Sequence, residues 1–207
     1  IFNGEMGKAA AVLADLASNE VELAARKKSM LSLSKLAAYA AEVDLSVQIE
    51  NINRELHLLE HQNQIDPEIL LALGFEMDNM RVLQAEEMIE LYISEDYTKS
   101  TEIEFRKALE LLSYVEDSLE YRNKIWCAAI KKDNWLSVNL DNPLDKISET
   151  TFYKLVDLCF ILDNDLEMYV PPVDTFLTAS ELEDFLSEKS FVYLIKLTYE
   201  HIRETFK

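Results

Sequence analysis

Turn-forming residues are scarce in this chain: three glycines (Gly4, Gly7, Gly74) and four prolines (Pro67, Pro143, Pro171, Pro172) among 207 residues. A strand-rich fold needs many sharp turns, and a dinucleotide-binding fold needs glycines where backbone meets phosphate, so both are disfavoured. Cysteine is scarcer still. Cys127 and Cys159 stand in apolar helical surroundings without CxxC spacing, which reads as two reduced, buried thiols and excludes a disulfide framework. No apolar run approaches the roughly 18–20 residues of a membrane span, and Ile1 to Gly4 has no signal-peptide character. Basic residues number 20 against 39 acidic ones, a net charge of -19, so approach to a phosphate backbone meets repulsion and nucleic acid is not an expected partner.

Apolar residues, by contrast, are plentiful. They make up 49% of the chain and recur at helical spacing from end to end, which predicts an all-α fold: a single domain over 1–207, an irregular α-solenoid-like stack of antiparallel helices. The start at isoleucine suggests a piece of a longer chain. Helices are expected over about Met6 to Ala17, Val21 to Glu42 and Ser46 to Gln62. A short one follows, opened by Asp66-Pro67 and closed by Gly74. Further helices are expected over Gln84 to Ser94, after a capping box at Thr101 and Glu104, over Asp117 to Lys132, after a cap at Ser148, after a second capping box at Thr178 and Glu181, and over Ser190 to Thr205. The stretch from Asn134 to Ile147 reads as the longest connection.

Candidate chemistry is thin. His57-Leu58-Leu59-Glu60-His61 matches the H-x-x-E-H spacing of inverted zinc peptidases, but no third ligand or second motif accompanies it. A zinc-dependent hydrolase on His57, Glu60 and His61 is therefore the alternative reading, with no catalytic, metal or cofactor residue assigned in the leading one. Asp163 to Glu167 resembles a calcium loop only superficially, because the glycine and bidentate glutamate of an EF-hand are missing. Trp126, Trp135, Phe152, Tyr153 and Tyr199 read as core, with Trp135 placed to pin the long connection. The cluster Arg26-Lys27-Lys28 reads as a solvated helix face or a partner contact.

Several strings carry a family likeness. KKSMLSLSKLAAYAA from Lys27, EEMIELYISED from Glu86, EFRKALELLSYV from Glu104, CAAIKKDNW from Cys127 and DNPLDKISETTFYKLV from Asp141 occur in the order of the C-terminal domain of the nucleoporin 133 family. The chain resembles that domain over about residues 16 to 162, and more weakly to FVYLIKLTYEHI from Phe191; a fungal member is the expected source. The resemblance implies a structural, non-enzymatic scaffold module of the nuclear pore complex at the nuclear envelope. It implies docking tail to tail on the C-terminal helical domain of nucleoporin 107, called 84 in fungi, within the Y-shaped complex, in support of protein and mRNA transport. It implies a curvature-sensing β-propeller elsewhere in the longer protein, and no direct membrane contact here. A helical adaptor of vesicle coats is a further alternative.

The second helix is the expected docking element. At 100° per residue Leu23, Met30 and Ala37 fall within about 40° of one another, with Leu33 and Ala40 beside them, which predicts one core stripe. Leu31 projects about 100° from Met30, so it is expected on the outer side as an anchor, with Lys28 and Lys35 as rim charges and Tyr39 nearby.

Overall fold

The computed structural model describes residues 3–72, 74–75, 80–97, 99–135, 141–162, 166–187 and 189–205, and all regular structure among them is helical. The chain divides into two compact units, 1–88 and 89–207.

The first unit opens with α1 (Asn3–Ser18), α2 (Ala24–Tyr39), α3 (Ser46–Asn63) and α4 (Pro67–Ala72). Between α1 and α2 the chain is extended, because the buried Glu20 carboxylate accepts the backbone N–H groups of Glu22 and Leu23, both at 3.0 Å, and binds Arg26 at 2.9 Å. The second helix therefore starts at Ala24, three residues later than the pattern predicts. Those bonds, the Leu23 N–H foremost, hold the Glu20 carboxyl below its ordinary range. Asp66 accepts Glu68 N–H at 2.8 Å ahead of Pro67, and Gly74, at φ +80, ends α4 as its position promised, with Phe75 N–H donating to Leu70 carbonyl at 2.9 Å.

Helices α1 and α2 meet through small side chains. Ala10 and Ala17 on α1 and Ser34 and Ala38 on α2 are all buried, and Ser34 Oγ donates to the Ala10 carbonyl at 2.7 Å. With no bulk at the contact the backbones approach closely. Leu31 joins Ala17, Ile52, Leu59 and Val82 in the core of this unit.

One amide ties down the chain leading out of α4. Gln62 is buried; its Nε2 donates to the Arg81 carbonyl at 2.6 Å and its Oε1 accepts Leu83 N–H at 3.0 Å. Two backbone bonds, Ala24 N–H to Met80 and Val82 N–H to Val21, each 3.0 Å, pair the same stretch with the extended link before α2. Arg81 in turn grips Glu87 at 2.6 Å, and that guanidinium holds the Glu87 carboxyl below its ordinary value.

Helix α5 (Ala85–Ile93) carries the division between the units. The second unit continues with α6 (Glu102–Glu110), α7 (Ser118–Lys131), α8 (Pro143–Ile147), α9 (Thr151–Leu162), α10 (Leu166–Tyr169), α11 (Val173–Leu177), α12 (Glu183–Leu186) and α13 (Lys189–Thr205). The capping box of Thr101 and Glu104 forms as expected, and Asp117 caps α7. Pro143 starts a short helix inside what the pattern reads as one long connection; residues 136–140 of that stretch lie outside the described ones.

Two caps fall elsewhere than expected. The N-terminus of α9 is held by Asp133, whose carboxylate accepts Thr151 and Phe152 N–H at 2.8 and 3.0 Å, and by Thr150, which accepts Tyr153 N–H at 3.1 Å; Ser148 instead donates to Asp145 carbonyl. Thr178 donates back to the Asp174 carbonyl, and a 3-10 turn over Ser180–Leu182 precedes α12, so the second capping box does not form. In both places a hydroxyl at cap spacing found a nearer acceptor on the turn before it.

The core of the second unit is aromatic. Phe152 is buried with its ring centroid 5.7 Å from Trp126, 5.6 Å from Phe176, 6.0 Å from Trp135 and 6.2 Å from Tyr199. Trp126 Nε1 donates to Tyr169 carbonyl at 2.7 Å and Tyr199 Oη to Pro171 carbonyl at 2.5 Å, which fixes the chain around the proline pair. Trp135, also buried, meets Phe191 edge-on at 5.4 Å and donates to Ile130 carbonyl, ending α7 rather than reaching for a partner.

Candidate protein-binding surface

Helix α2 has no acidic residue and four basic ones, in a chain of net charge -19. Three of the four are matched to carboxylates of the same unit: Arg26 to Glu20 at 2.9 Å, Lys27 to Glu55 at 2.9 Å and Lys28 to Glu60 at 3.1 Å. The last pair lies on the surface, with both side chains about half exposed. Lys35 borders the buried side of the helix.

The buried arc of α2 runs through Ser34, Ala38 and Leu31, with Ala24 and Met30 packed against the same core. This corrects the expected orientation. Leu31 is 0% exposed and cannot anchor a partner, whereas Leu33, assigned to the core stripe, is 54% exposed. Leu36 and Tyr39 on the outer side are 66% and 64% exposed. Counting apolar bulk alone put the large side chains inside; the contact with α1 selects small ones instead, which rotates the buried arc toward Ser34 and Ala38. Of the four expected docking residues, Tyr39, Lys28 and Lys35 stay on or beside the open face, and Leu36, not among them, is also exposed. A buried hydroxyl at Ser34, one turn from Leu31 on the inner arc, was the available signal.

Other large apolar side chains of the first unit are also open: Val12 and Leu16 on α1, Val43 in the link to α3 and Val47 on α3, the last 71% exposed. An isolated exposed leucine is ordinary on a protein surface; here several bulky apolar residues of α1 and α2 point outward, while Ala10, Ala17, Ser34 and Ala38 lie inside beside Leu31.

The histidine motif lies on α3. His57 is exposed, His61 half-buried, and Glu60 is engaged by Lys28. Among the described residues no group of three or more His, Cys, Asp or Glu is placed to hold a metal ion. The calcium-like run at Asp163 to Asp165 lies outside the described residues. Cys127 and Cys159 are buried and not joined in a disulfide; burial, helped by Glu181, pushes the Cys127 thiol up to about 11, so it is neutral and a poor nucleophile. No described helix is long and apolar enough to cross a membrane.

Comparison with known proteins gives a consistent answer. The chain is 50% identical over 208 residues to the nuclear pore complex protein Nup133 of Drosophila melanogaster, with all of the chain and 17% of that protein covered. It is 32% identical over 210 residues to Nup133 of Homo sapiens and 31% over 210 residues to that of Mus musculus, in each case with 97% of the chain and 18% of the relative covered. The chain thus spans less than a fifth of the length of these relatives, which are animal proteins. No family model matches it.

Proposed function

Since the chain belongs to the Nup133 family, we propose that it is a structural scaffold module of the nuclear pore complex at the nuclear envelope, working by protein contact and without catalysis or cofactor. Its partner in this reading is the C-terminal helical domain of nucleoporin 107, or 84 in fungi, docked tail to tail within the Y-shaped complex. Through that link it supports passage of protein and mRNA. The observation that carries the proposal is the outer face of α2: Leu33, Leu36 and Tyr39 stand more than half exposed on the one helix of the first unit that is wholly basic in its charges.

The chemistry of such a contact is ordinary. Leu36 and Tyr39 enter apolar pockets of the partner, and Lys35 and Lys28 sit at the rim facing partner carboxylates. A pull-down with the chain from nuclear-envelope extract tests the assignment: Y-complex subunits are the expected catch, and vesicle-coat subunits would overturn it in favour of a coat adaptor. Calorimetry against the purified C-terminal domain of nucleoporin 107 tests the surface. Leu36→Asp is expected to cost at least about 2 kcal/mol of binding with the helical spectrum unchanged. Wild-type affinity in that variant would move the interface off α2.

A further inference from the structure

In a chain with 39 acidic residues, three cations stand in a row only at Arg26-Lys27-Lys28, and the next residue is a serine, Ser29, followed by the apolar pair Met30-Leu31. No other arginine in the sequence stands three residues before a serine or threonine. A basophilic protein kinase reads this pattern. Carboxylates of its groove take a guanidinium three positions before the acceptor and a second cation two before it, and an apolar residue follows the acceptor.

The fold leaves that serine available. Ser29 is exposed on α2, and its Oγ donates to the Ala25 carbonyl of the same helix at 3.0 Å, unlike the buried Ser34, whose hydroxyl ties α2 to α1. A kinase binds its substrate extended, so the start of α2 has to open, and this is the weak end of the helix. Leu23 at the N-cap makes no side-chain bond, no acidic residue stands in the first turn, and the three cations lie there against the helix dipole. The Arg26 side chain is half exposed even while it holds Glu20, and the Lys28–Glu60 pair is at the surface, where ion pairs hold weakly. Lys27, less exposed and paired with Glu55, is the tie that has to be given up.

We propose that Ser29 is a phosphorylation site for a basophilic serine kinase, and that the phosphate closes the outer face of α2 to its partner. The γ-phosphoryl group of ATP passes to Ser29 Oγ: the bond from phosphorus to the ADP oxygen breaks, the Oγ–P bond forms, and the hydroxyl proton goes to the catalytic base of the kinase. Leu33 and Leu36 stand four and seven residues on, on the same side of the helix and both exposed, so the modification sets a charge of about -2 beside them. Covering the leucines then requires burying an anion, and partner carboxylates facing Lys28 are repelled. The kinase acts on the undocked chain. The closing of the face rests on the docking reading of α2; the modification itself does not.

The test is to incubate the folded chain with magnesium ATP and the catalytic subunit of cyclic-AMP-dependent protein kinase, then to weigh it and map the site by mass spectrometry. A gain of one phosphoryl group on Ser29 is expected, absent in Ser29→Ala, with the exposed Ser32 unmodified. Arg26→Lys, which keeps the charge beside Glu20 but loses the fork, should slow the reaction at least about tenfold. No incorporation into the folded chain, or undiminished incorporation in Ser29→Ala, would overturn the site. Calorimetry of both forms against the C-terminal domain of nucleoporin 107 follows, and the phosphorylated chain is expected to bind at least about tenfold more weakly with its helical spectrum unchanged. Equal affinity would overturn the switch and leave the docking reading standing. Failure of the unmodified chain to bind would sink the docking reading and the switch with it, the site itself being decided by the gain in mass.

Discussion

Replacing Gln62 by methionine removes two hydrogen bonds and almost no volume. The Leu83 N–H is left buried without a partner, at about 1–3 kcal/mol for a group so stranded, and the Arg81 carbonyl, nearer the surface, adds about 1 kcal/mol. A loss of roughly 2–4 kcal/mol in urea unfolding is the expected sum. It should be accompanied by faster hydrogen exchange at Leu83, since that amide is held by the side chain alone. Gln62→Glu separates hydrogen bonding from shape. At neutral pH it sets a carboxylate against the Arg81 carbonyl, whereas the protonated acid restores the donor. Its folded-state pKa is thereby raised above the unfolded value of about 4.3, so its stability is kept below that value and lost as pH rises through the folded one. Gln62→Met with unchanged stability and unchanged Leu83 exchange would refute the view that this amide holds the segment before α5.

Leu31→Asp is expected to unfold the first unit by burying a charge in the core, seen as loss of the cooperative melt, in contrast to the folded Leu36→Asp. Phe152→Ala, which empties the centre of four surrounding rings, should cost about 3–5 kcal/mol in denaturant unfolding. Lowered carboxyls imply acid sensitivity: Glu20 and Glu87 contribute stability above their ordinary value of 4.5, and it is lost as pH falls through their lowered ones. Asp133, raised chiefly by burial, works in the opposite sense, losing stability as pH rises through its folded value. Glu20→Gln should therefore flatten the acid limb of a stability–pH curve, and an unchanged limb would count against the capping role of this residue.

Much of the fold was legible because local signals governed it. The limits of α3 and α7, the Asp66-Pro67 start and the Gly74 stop follow from periodicity and caps within a few residues of each end. Errors arose where a side chain outside the helix pattern decided, whether near in sequence or far. Glu20 drew the link before α2 into an extended form, and Asp133, 18 residues away, took the cap that Ser148 seemed placed to supply. The exposed side of α2 was half legible: Tyr39 is exposed as the pattern expects, but Leu31 and Leu33 exchanged roles because a 16-residue helix that is apolar on several sides does not declare which side a neighbour will choose.

The contact of α1 with α2 inverts the usual map of which substitutions a helix tolerates. Where Ala10, Ala17, Ser34 and Ala38 close the gap, adding two methyl groups, as in Ala38→Val, is expected to drive two backbones apart, whereas the exposed Leu33 and Leu36 are expected to accept polar replacements without loss of fold. Gly7 marks the edge of this zone: a methyl group there would stand 3.6 Å from Val43 Cγ2, ordinary contact, so alanine is admitted. A saturation-mutagenesis profile scored for folding alone would therefore flag these small residues, together with the buried Leu31, as the intolerant ones and pass over the exposed Leu33, Leu36 and Tyr39. Under the proposed docking, the same profile scored for partner capture would bring Leu33 and Leu36 back, and the difference between the two would test that face residue by residue.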